Sequence, residues 1–102
     1  MKWLFGRGRA DLLKGTWVVD PTDAVALGEF GQVELEFDSG RLTYAVILAD
    51  KKQLMLLTYR VEGDVLITDQ PSHPQSERTK FQIEEDRLTL SFGGTTGRFL
   101  RV

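Results

Sequence analysis

The chain has 102 residues, of which 41% are hydrophobic and 27% are charged, and its formal net charge at pH 7 is −2. This length and composition fit one globular domain with one hydrophobic core, and the small negative charge argues against nucleic acid as a partner. The sequence contains no cysteine, which excludes disulfides, thiol catalysis and cysteine-ligated zinc.

The amino-terminal residues do not resemble a targeting or membrane segment. Their apolar stretch, Trp3-Leu4-Phe5, is interrupted at once by Gly6 and Arg7. It is too short for a secretory signal, and no stretch of the sequence approaches the ~20 apolar residues of a membrane helix. We therefore expect a cytoplasmic protein without stable membrane insertion.

Strand-like segments separated by short turns make up most of the sequence. The first begins at Gly15-Thr16-Trp17, and the clearest covers residues 32–38, where apolar and polar residues alternate. This alternation indicates a strand with one buried and one solvent-exposed face. The predicted strands are residues 16–19, 32–38, 42–49, 53–61, 65–68, 77–84, 87–92 and 98–102.

Two short helical segments are predicted beside these strands. Residues 9–14 form one helical turn that directs Leu12 and Leu13 inward, and residues 22–29 form a short helix after the first strand. The candidate N-caps of the second helix are Thr22 and Asp23, and the candidate residues at its end are Gly28 and Gly31.

Turns that recur every ~8–12 residues are typical of a sandwich or barrel. Short connections favour antiparallel pairing of successive strands, and closure of the sheet removes both exposed edges. We therefore predict an all-β fold, an eight-stranded antiparallel up-and-down barrel with a short helix after the first strand. Residues 14–102 form the single barrel domain, and residues 1–13 are an amino-terminal segment, either a lid or a flexible tail.

Four short motifs support a more specific interpretation. They are LKGTW at residues 13–17, FDSG at 37–40, YRVEGDVL at 59–66 and RFLR at 98–101. In order and spacing they resemble the lipocalin-like, or calycin, superfamily, and especially its small bacterial domains of unassigned function. The resemblance implies a structural lock at the closed end of the barrel, in which Arg98 or Arg101 packs across Trp17. A guanidinium on an indole face contributes about 0.5–2 kcal/mol.

The third and fourth predicted strands are apolar on both faces. A two-residue turn at Asp50-Lys51 determines their pairing: Ala45 lies beside Leu56, Ile47 beside Leu54 and Thr43 beside Thr58. Together with two phenylalanines from later strands, the inward side chains form the candidate ligand-binding interior. These candidate residues are Tyr44, Val46, Met55, Leu57, Tyr59, Phe81 and Phe92.

The outward side chains of the same two strands form a candidate interface. An exposed apolar patch implies a cover, which is either a second copy of the chain in a homodimer or the Trp3-Leu4-Phe5 segment. The residues of this patch are Ala45, Ile47, Leu54 and Leu56.

No group of side chains in the sequence indicates catalysis. The single histidine, His73, lies in a polar loop without the spacing of a catalytic triad. Adjacent acids at residues 84–86 point apart in a turn, whereas a carboxylate pair needs to face across ~5–10 Å. The glycine-rich residues 93–97 lack the lysine and the helix of a phosphate-binding loop. We predict no enzyme, no catalytic residue, no metal and no cofactor.

Two functions remain open. The first is a non-enzymatic binding protein that carries a small apolar or amphipathic ligand in the barrel. The second is a solid-core interaction module or homodimer without a small-molecule ligand, because eight strands can be filled by side chains alone. A cavity above ~300 Å³ would favour the first function, and a packed interior the second.

Overall fold

The structure, a computed structural model, describes residues 8–70, 76–92 and 94–102, with side chains from residue 11 onward and without that of Phe92. In these residues eight strands form one closed antiparallel barrel in chain order. The strands are β1 (Gly15–Val19), β2 (Val33–Asp38), β3 (Arg41–Ile47), β4 (Lys52–Glu62), β5 (Val65–Asp69), β6 (Glu77–Glu84), β7 (Arg87–Phe92) and β8 (Thr95–Arg101). Helix α1 (Gly8–Leu13) precedes β1, and helix α2 (Ala24–Phe30) follows it. The predicted eight-stranded antiparallel barrel, with a short helix after the first strand, is confirmed.

Strand β2 illustrates how the sequence pattern builds the barrel. Val33, Leu35 and Phe37 are almost fully buried and point inward, whereas Glu34 and Glu36 lie on the outer face. The strand ends at a tight turn in which Ser39 and Gly40 have φ values of 50° and 82°. Such left-handed conformations at both turn residues suit the right-handed twist of the strands that they connect.

Helix α2 packs against β8. Its N-cap is Asp23, whose carboxylate accepts a hydrogen bond from the Ala26 N–H at 3.1 Å, and it ends at Gly31, where φ is 74°. The helix lies close to Gly97, because a Cβ added there would lie 2.7 Å from Cε2 of Phe30. Glycine at this position therefore lets the helix reach the barrel.

Helix α1 directs only one of its two leucines inward. Leu13 is fully buried, whereas Leu12 is 53% exposed, so the prediction that both turn inward is wrong. Successive residues of an α-helix point about 100° apart because each turn contains about 3.6 residues. The helix contacts the barrel on the side of Leu13, and Leu12 therefore points toward solvent.

The pairing of β3 with β4 differs from the predicted register by two residues. Ala45 lies opposite Leu54, Thr43 opposite Leu56 and Arg41 opposite Thr58. The reason is that the turn is centred one residue earlier than predicted, with the Leu48 N–H donating to the Lys51 carbonyl oxygen at 2.8 Å. Because a shift of two residues preserves the alternation of side chains, the two faces keep their predicted orientation.

Candidate functional site

The closed end of the barrel, where β1 begins and β8 ends, is built around Trp17. This side chain is fully buried, and its indole Nε1–H donates a hydrogen bond to the Leu13 carbonyl oxygen at 2.8 Å. Trp17 is the register partner of Arg101, whose guanidinium carbon lies 4.1 Å from the centroid of the indole ring. Of the two arginines named from the sequence, Arg101 is therefore the one that lies on the indole.

Arg101 also connects the closed end to α1. Its guanidinium donates to the carbonyl oxygens of Lys14 at 2.8 Å and Leu12 at 2.9 Å, and its Nε lies 3.4 Å from the Asp86 carboxylate. Gly15 has a φ of 125°, and a Cβ added there would lie 2.8 Å from Nη1 of Arg101. Glycine at position 15 thus leaves the space that the guanidinium occupies, and this end of the barrel has a structural role.

Arg98 belongs to a different cluster, which attaches α2 to β8. Its backbone N–H donates to Asp23 at 3.0 Å, and its Nε lies 3.9 Å from the Asp20 carboxylate and 3.8 Å from that of Asp23. Hydrogen bonds from the N–H and then the hydroxyl of Thr22 lower the pKa of Asp20. The pKa of Asp23 is lowered by the N–H groups of Ala26 and then Arg98.

A cavity of about 270 Å³ lies in the barrel toward the opposite, open end. One part of its lining is apolar, and this apolar wall consists of Leu35, Phe37, Leu42, Leu57, Leu66 and Leu90. The remainder lies toward the mouth and includes polar side chains from β3, β5, β6 and the residue after β5. These mouth residues are Tyr44, Met55, Thr68, Gln70, Glu77 and Thr79.

Only part of the predicted interior lines this cavity. Tyr44, Met55 and Leu57 do so. Val46, Tyr59 and Phe81 do not, although each packs in or against the barrel core. Strands in a closed barrel are tilted, so inward residues are distributed along the whole axis and not around a single chamber. The side chain of Phe92 lies outside the described residues.

Tyr59 is an example of an inward residue that packs in the barrel away from the cavity. Its ring meets that of Phe37 edge to face, with the centroids 5.1 Å apart and an interplanar angle of 88°. Such edge-to-face pairs contribute about 0.5–1.5 kcal/mol beyond the burial of their area. Tyr59 is therefore part of the packing beneath the cavity, whereas Tyr44, one strand earlier, faces the cavity itself.

Four polar lining residues were missed by the sequence reasoning. Thr68 and Glu77 are direct register partners across β5 and β6, Thr79 follows two residues further along β6, and Gln70 follows β5. Alternation along β6 places Glu77 and Thr79 on the same face as Phe81. That signal was present in the sequence, but it is easily overlooked because both inward residues are polar.

The polar side chains at the mouth have no side-chain partners among the residues that the structure describes. In residues 8–70, 76–92 and 94–102, Tyr44, Thr68, Gln70, Glu77 and Thr79 make no side-chain hydrogen bond or ion pair. Thr79 is only 8% exposed, and burial raises the pKa of the Tyr44 phenol. No side-chain nitrogen or oxygen of the described residues is both fully buried and unpaired, so these groups reach the open cavity, where a bound molecule or water can contact them.

The outer face of β3 and β4 contains the predicted interface residues. Leu54 and Leu56 are 61% and 67% exposed, whereas Ala45 is 4% exposed and Ile47 is half-buried. The apolar surface available to a partner is therefore carried mainly by the two leucines of β4. The alternative cover, Trp3-Leu4-Phe5, lies outside the described residues.

The described residues contain no cluster of three or more histidine or acidic side chains that could hold a metal ion. His73 lies outside them. Glu84, Glu85 and Asp86 are exposed at the β6–β7 turn, where Asp86 pairs with Arg101. No helix in the described part of the chain has the length and apolar character needed to cross a bilayer.

No protein-family model, curated protein or solved structure matches the chain. The closed barrel of eight antiparallel strands in chain order is nevertheless consistent with a lipocalin-like fold, since lipocalins are up-and-down barrels of eight strands. This agreement concerns architecture, which by itself does not determine function.

Proposed function

We propose that the protein binds a small amphipathic molecule in the barrel cavity, without catalysis, and that it is a lipocalin-like protein. The observation that supports this proposal is one cavity that combines an apolar wall with polar side chains at its mouth, which have no side-chain partner among the described residues. Ligand sites in proteins have this composition, mostly apolar with a few polar groups that orient the ligand.

The size of the cavity restricts the ligand. At about 270 Å³ it is slightly below the lower limit of ~300 Å³ for typical ligand pockets, so volume alone does not favour a carrier over a packed barrel. The polar lining favours the carrier, because polar side chains that face an open cavity can contact a ligand, whereas a solid core would have apolar side chains at these positions. The ligand is accordingly small, with one apolar part and one polar part.

The chemistry of the lining favours binding over reaction. A hydroxyl nucleophile needs an adjacent base within hydrogen-bond distance, and the hydroxyls of Tyr44, Thr68 and Thr79 are hydrogen-bonded to no base in the described residues. The described lining therefore offers contacts and orientation, and none of its hydroxyls is activated by a neighbouring base.

A cavity-filling substitution tests this proposal. Leu57→Trp adds an indole to the apolar wall, and Leu54→Trp makes the same change on the outer face of the same strand. We expect 1-octanol, titrated into the wild-type protein and followed by methyl NMR shifts, to bind saturably at a single site. The Leu57→Trp variant should lose this binding and the Leu54→Trp variant should retain it. Absence of saturable binding to the wild type, or equal binding to both variants, would contradict the proposal.

A second candidate function, a homodimer, is favoured by Leu54 and Leu56, which lie two residues apart on the outer face of β4 and are well exposed. The patch is flanked by charges of opposite sign, with Glu36 on β2 and Lys52 at the start of β4, both exposed. A two-fold axis through the leucines could bring unlike charges together, as an isologous interface requires. Analytical ultracentrifugation of the wild type and of Leu54→Glu tests this: a dimer that becomes a monomer supports it, and a monomeric wild type excludes it.

A further inference from the structure

The described residues that line the cavity carry a single formal charge. Among its described lining residues Glu77 is the only acid, and neither lysine nor arginine is present. The other polar lining groups are neutral hydroxyls and the Gln70 amide. Among these described residues, a polar group of a ligand that enters the mouth therefore meets one carboxylate and several neutral hydrogen-bonding groups.

The carboxylate of Glu77 is not compensated by the neighbouring cations of its own strand. Glu77 faces inward together with Thr79, whereas Arg78 lies on the outer face of β6 and pairs with Glu62 at 3.5 Å. Lys80, two residues beyond Arg78, lies on the same outer face. In the described parts of the chain Glu77 makes no ion pair.

The negative charge of Glu77 favours some polar head groups of a ligand over others. A carboxylate or phosphate on the ligand would be repelled by Glu77, and a neutral hydroxyl would gain an ordinary hydrogen bond. An ammonium would gain a charge-assisted hydrogen bond, which is roughly twice as strong as a neutral one. Thr79, which lines the same cavity, supplies a hydroxyl as a further acceptor.

We propose that the ligand is a small alkylammonium compound whose amine binds Glu77 and whose apolar chain lies along the apolar wall. This inference rests on the proposed function, because it concerns the same cavity. It assigns to Glu77 the role of counter-ion, to Thr79 and Gln70 the role of neutral acceptors, and to Leu35, Leu57 and Leu90 contact with the chain.

Three probes of equal chain length test the head group: octylammonium, 1-octanol and octanoate, each titrated below its aggregation concentration by calorimetry and methyl NMR. The proteins are the wild type, Glu77→Gln and Glu84→Gln. Glu84 provides a matched control, because it lies on the same strand, faces outward and changes the net charge equally.

We expect the wild type to bind octylammonium about fivefold more tightly than 1-octanol, as befits an ion pair that is open to water, and octanoate most weakly. Glu77→Gln should remove this preference and leave 1-octanol binding unchanged, and Glu84→Gln should behave as the wild type. Added salt should weaken only octylammonium binding.

The results separate the two proposals. If the wild type binds 1-octanol or octanoate as tightly as octylammonium, or if Glu84→Gln has the same effect as Glu77→Gln, the head-group inference is wrong and the binding function stands. If none of the three probes binds, the proposed function fails, and the inference fails with it.

Discussion

At the closed end of the barrel the indole N–H of Trp17 is bonded to Leu13, and the guanidinium of Arg101 is shared among two carbonyl oxygens, a carboxylate and the indole face. At the open end Glu77 and Thr79 face a cavity and have no such partners within the described residues. Paired polar groups stabilise a fold, whereas unpaired ones lower its stability unless water or a ligand satisfies them. The polar groups of the closed end therefore stabilise the fold, whereas the open end is where we propose that a ligand binds.

The largest effect should come from Trp17→Ala, which removes the bulkiest fully buried side chain of the closed end. We expect the free energy of unfolding, measured by urea titration and circular dichroism, to fall by about 3–5 kcal/mol, a large part of the ~5–15 kcal/mol of a typical domain. If the variant does not fold, Trp17→Phe keeps a ring but leaves the Leu13 carbonyl oxygen without the indole donor, and its smaller loss can be measured.

Leu54→Ala provides the control for this prediction. It removes an apolar side chain from the exposed outer face, and the free energy of unfolding should change by about 0.5 kcal/mol or less. A loss in Trp17→Phe no greater than that in Leu54→Ala would show that the closed end does not carry the stability we assign to it.

A smaller loss is expected from Gly15→Ala, which tests the space around Arg101. The added Cβ meets Nη1 of Arg101 at 2.8 Å, and φ is 125°, so both the side-chain clash and the backbone strain oppose the substitution. We expect a loss of about 1–3 kcal/mol in the free energy of unfolding.

Gly28→Ala is the matched control, with an effect of opposite sign. Nothing lies within 4 Å of a Cβ added in this helix, and alanine is favoured over glycine there by about 1 kcal/mol. If Gly15→Ala stabilised the protein as Gly28→Ala should, the guanidinium would not be held against Gly15, and the description of the closed end would need revision.

Acid should weaken the contacts of Asp20 and Asp23 that attach α2 to β8, whereas it should not affect the cation–π contact at the closed end. The pKa values of Asp20 and Asp23 are lowered from their ordinary value of 3.8, so both carboxylates bind protons less readily in the folded state. Their stabilising contribution is present above pH 3.8 and is lost as the pH falls through the lower folded values.

Urea titrations at a series of pH values below neutrality measure this loss. The double variant Asp20→Asn/Asp23→Asn should be less stable at pH 7 and should lose less on acidification than the wild type. Parallel pH profiles for the two proteins would show that these carboxylates are not the acid-sensitive groups of the fold.

The barrel could be predicted from the sequence because alternation is a local signal. Val33, Leu35 and Phe37 alternate with glutamates, and each is buried as expected. The register of β3 with β4 was harder to predict, since neither Ala49-Asp50 nor Asp50-Lys51 contains the glycine that identifies a two-residue turn. The sequence therefore predicts which face each residue occupies, but it does not identify its cross-strand neighbour.

The residues that line the cavity were predicted only in part, and the reason differs from that for the register. Alternation states that Tyr44 and Tyr59 both point inward, but it does not say how far along the barrel axis each lies. The tilt of the strands decides that point, and it places Tyr44 at the cavity and Tyr59 against Phe37. Glu77 and Thr79 were missed because a polar residue on an inward face contradicts the pattern used to find the interior, and such contradictions are expected at functional sites.

The smallest expected change in stability comes from a substitution at the open end, and it tests most directly whether the two ends of the barrel differ. Thr79→Val replaces a hydroxyl that has no partner in the described residues by a methyl group of similar size. We expect the free energy of unfolding to change by about 0.5 kcal/mol or less, or to rise, because no hydrogen bond is lost. The control is Thr22→Val, which removes a hydroxyl that donates to Asp20 at 2.7 Å and should cost about 1 kcal/mol. Equal losses in the two variants would mean that Thr79 is bonded within the fold. If Thr79→Val leaves the free energy of unfolding unchanged but weakens octylammonium binding, the hydroxyl matters to a ligand and not to the fold. The two ends would then differ in function as well as in structure.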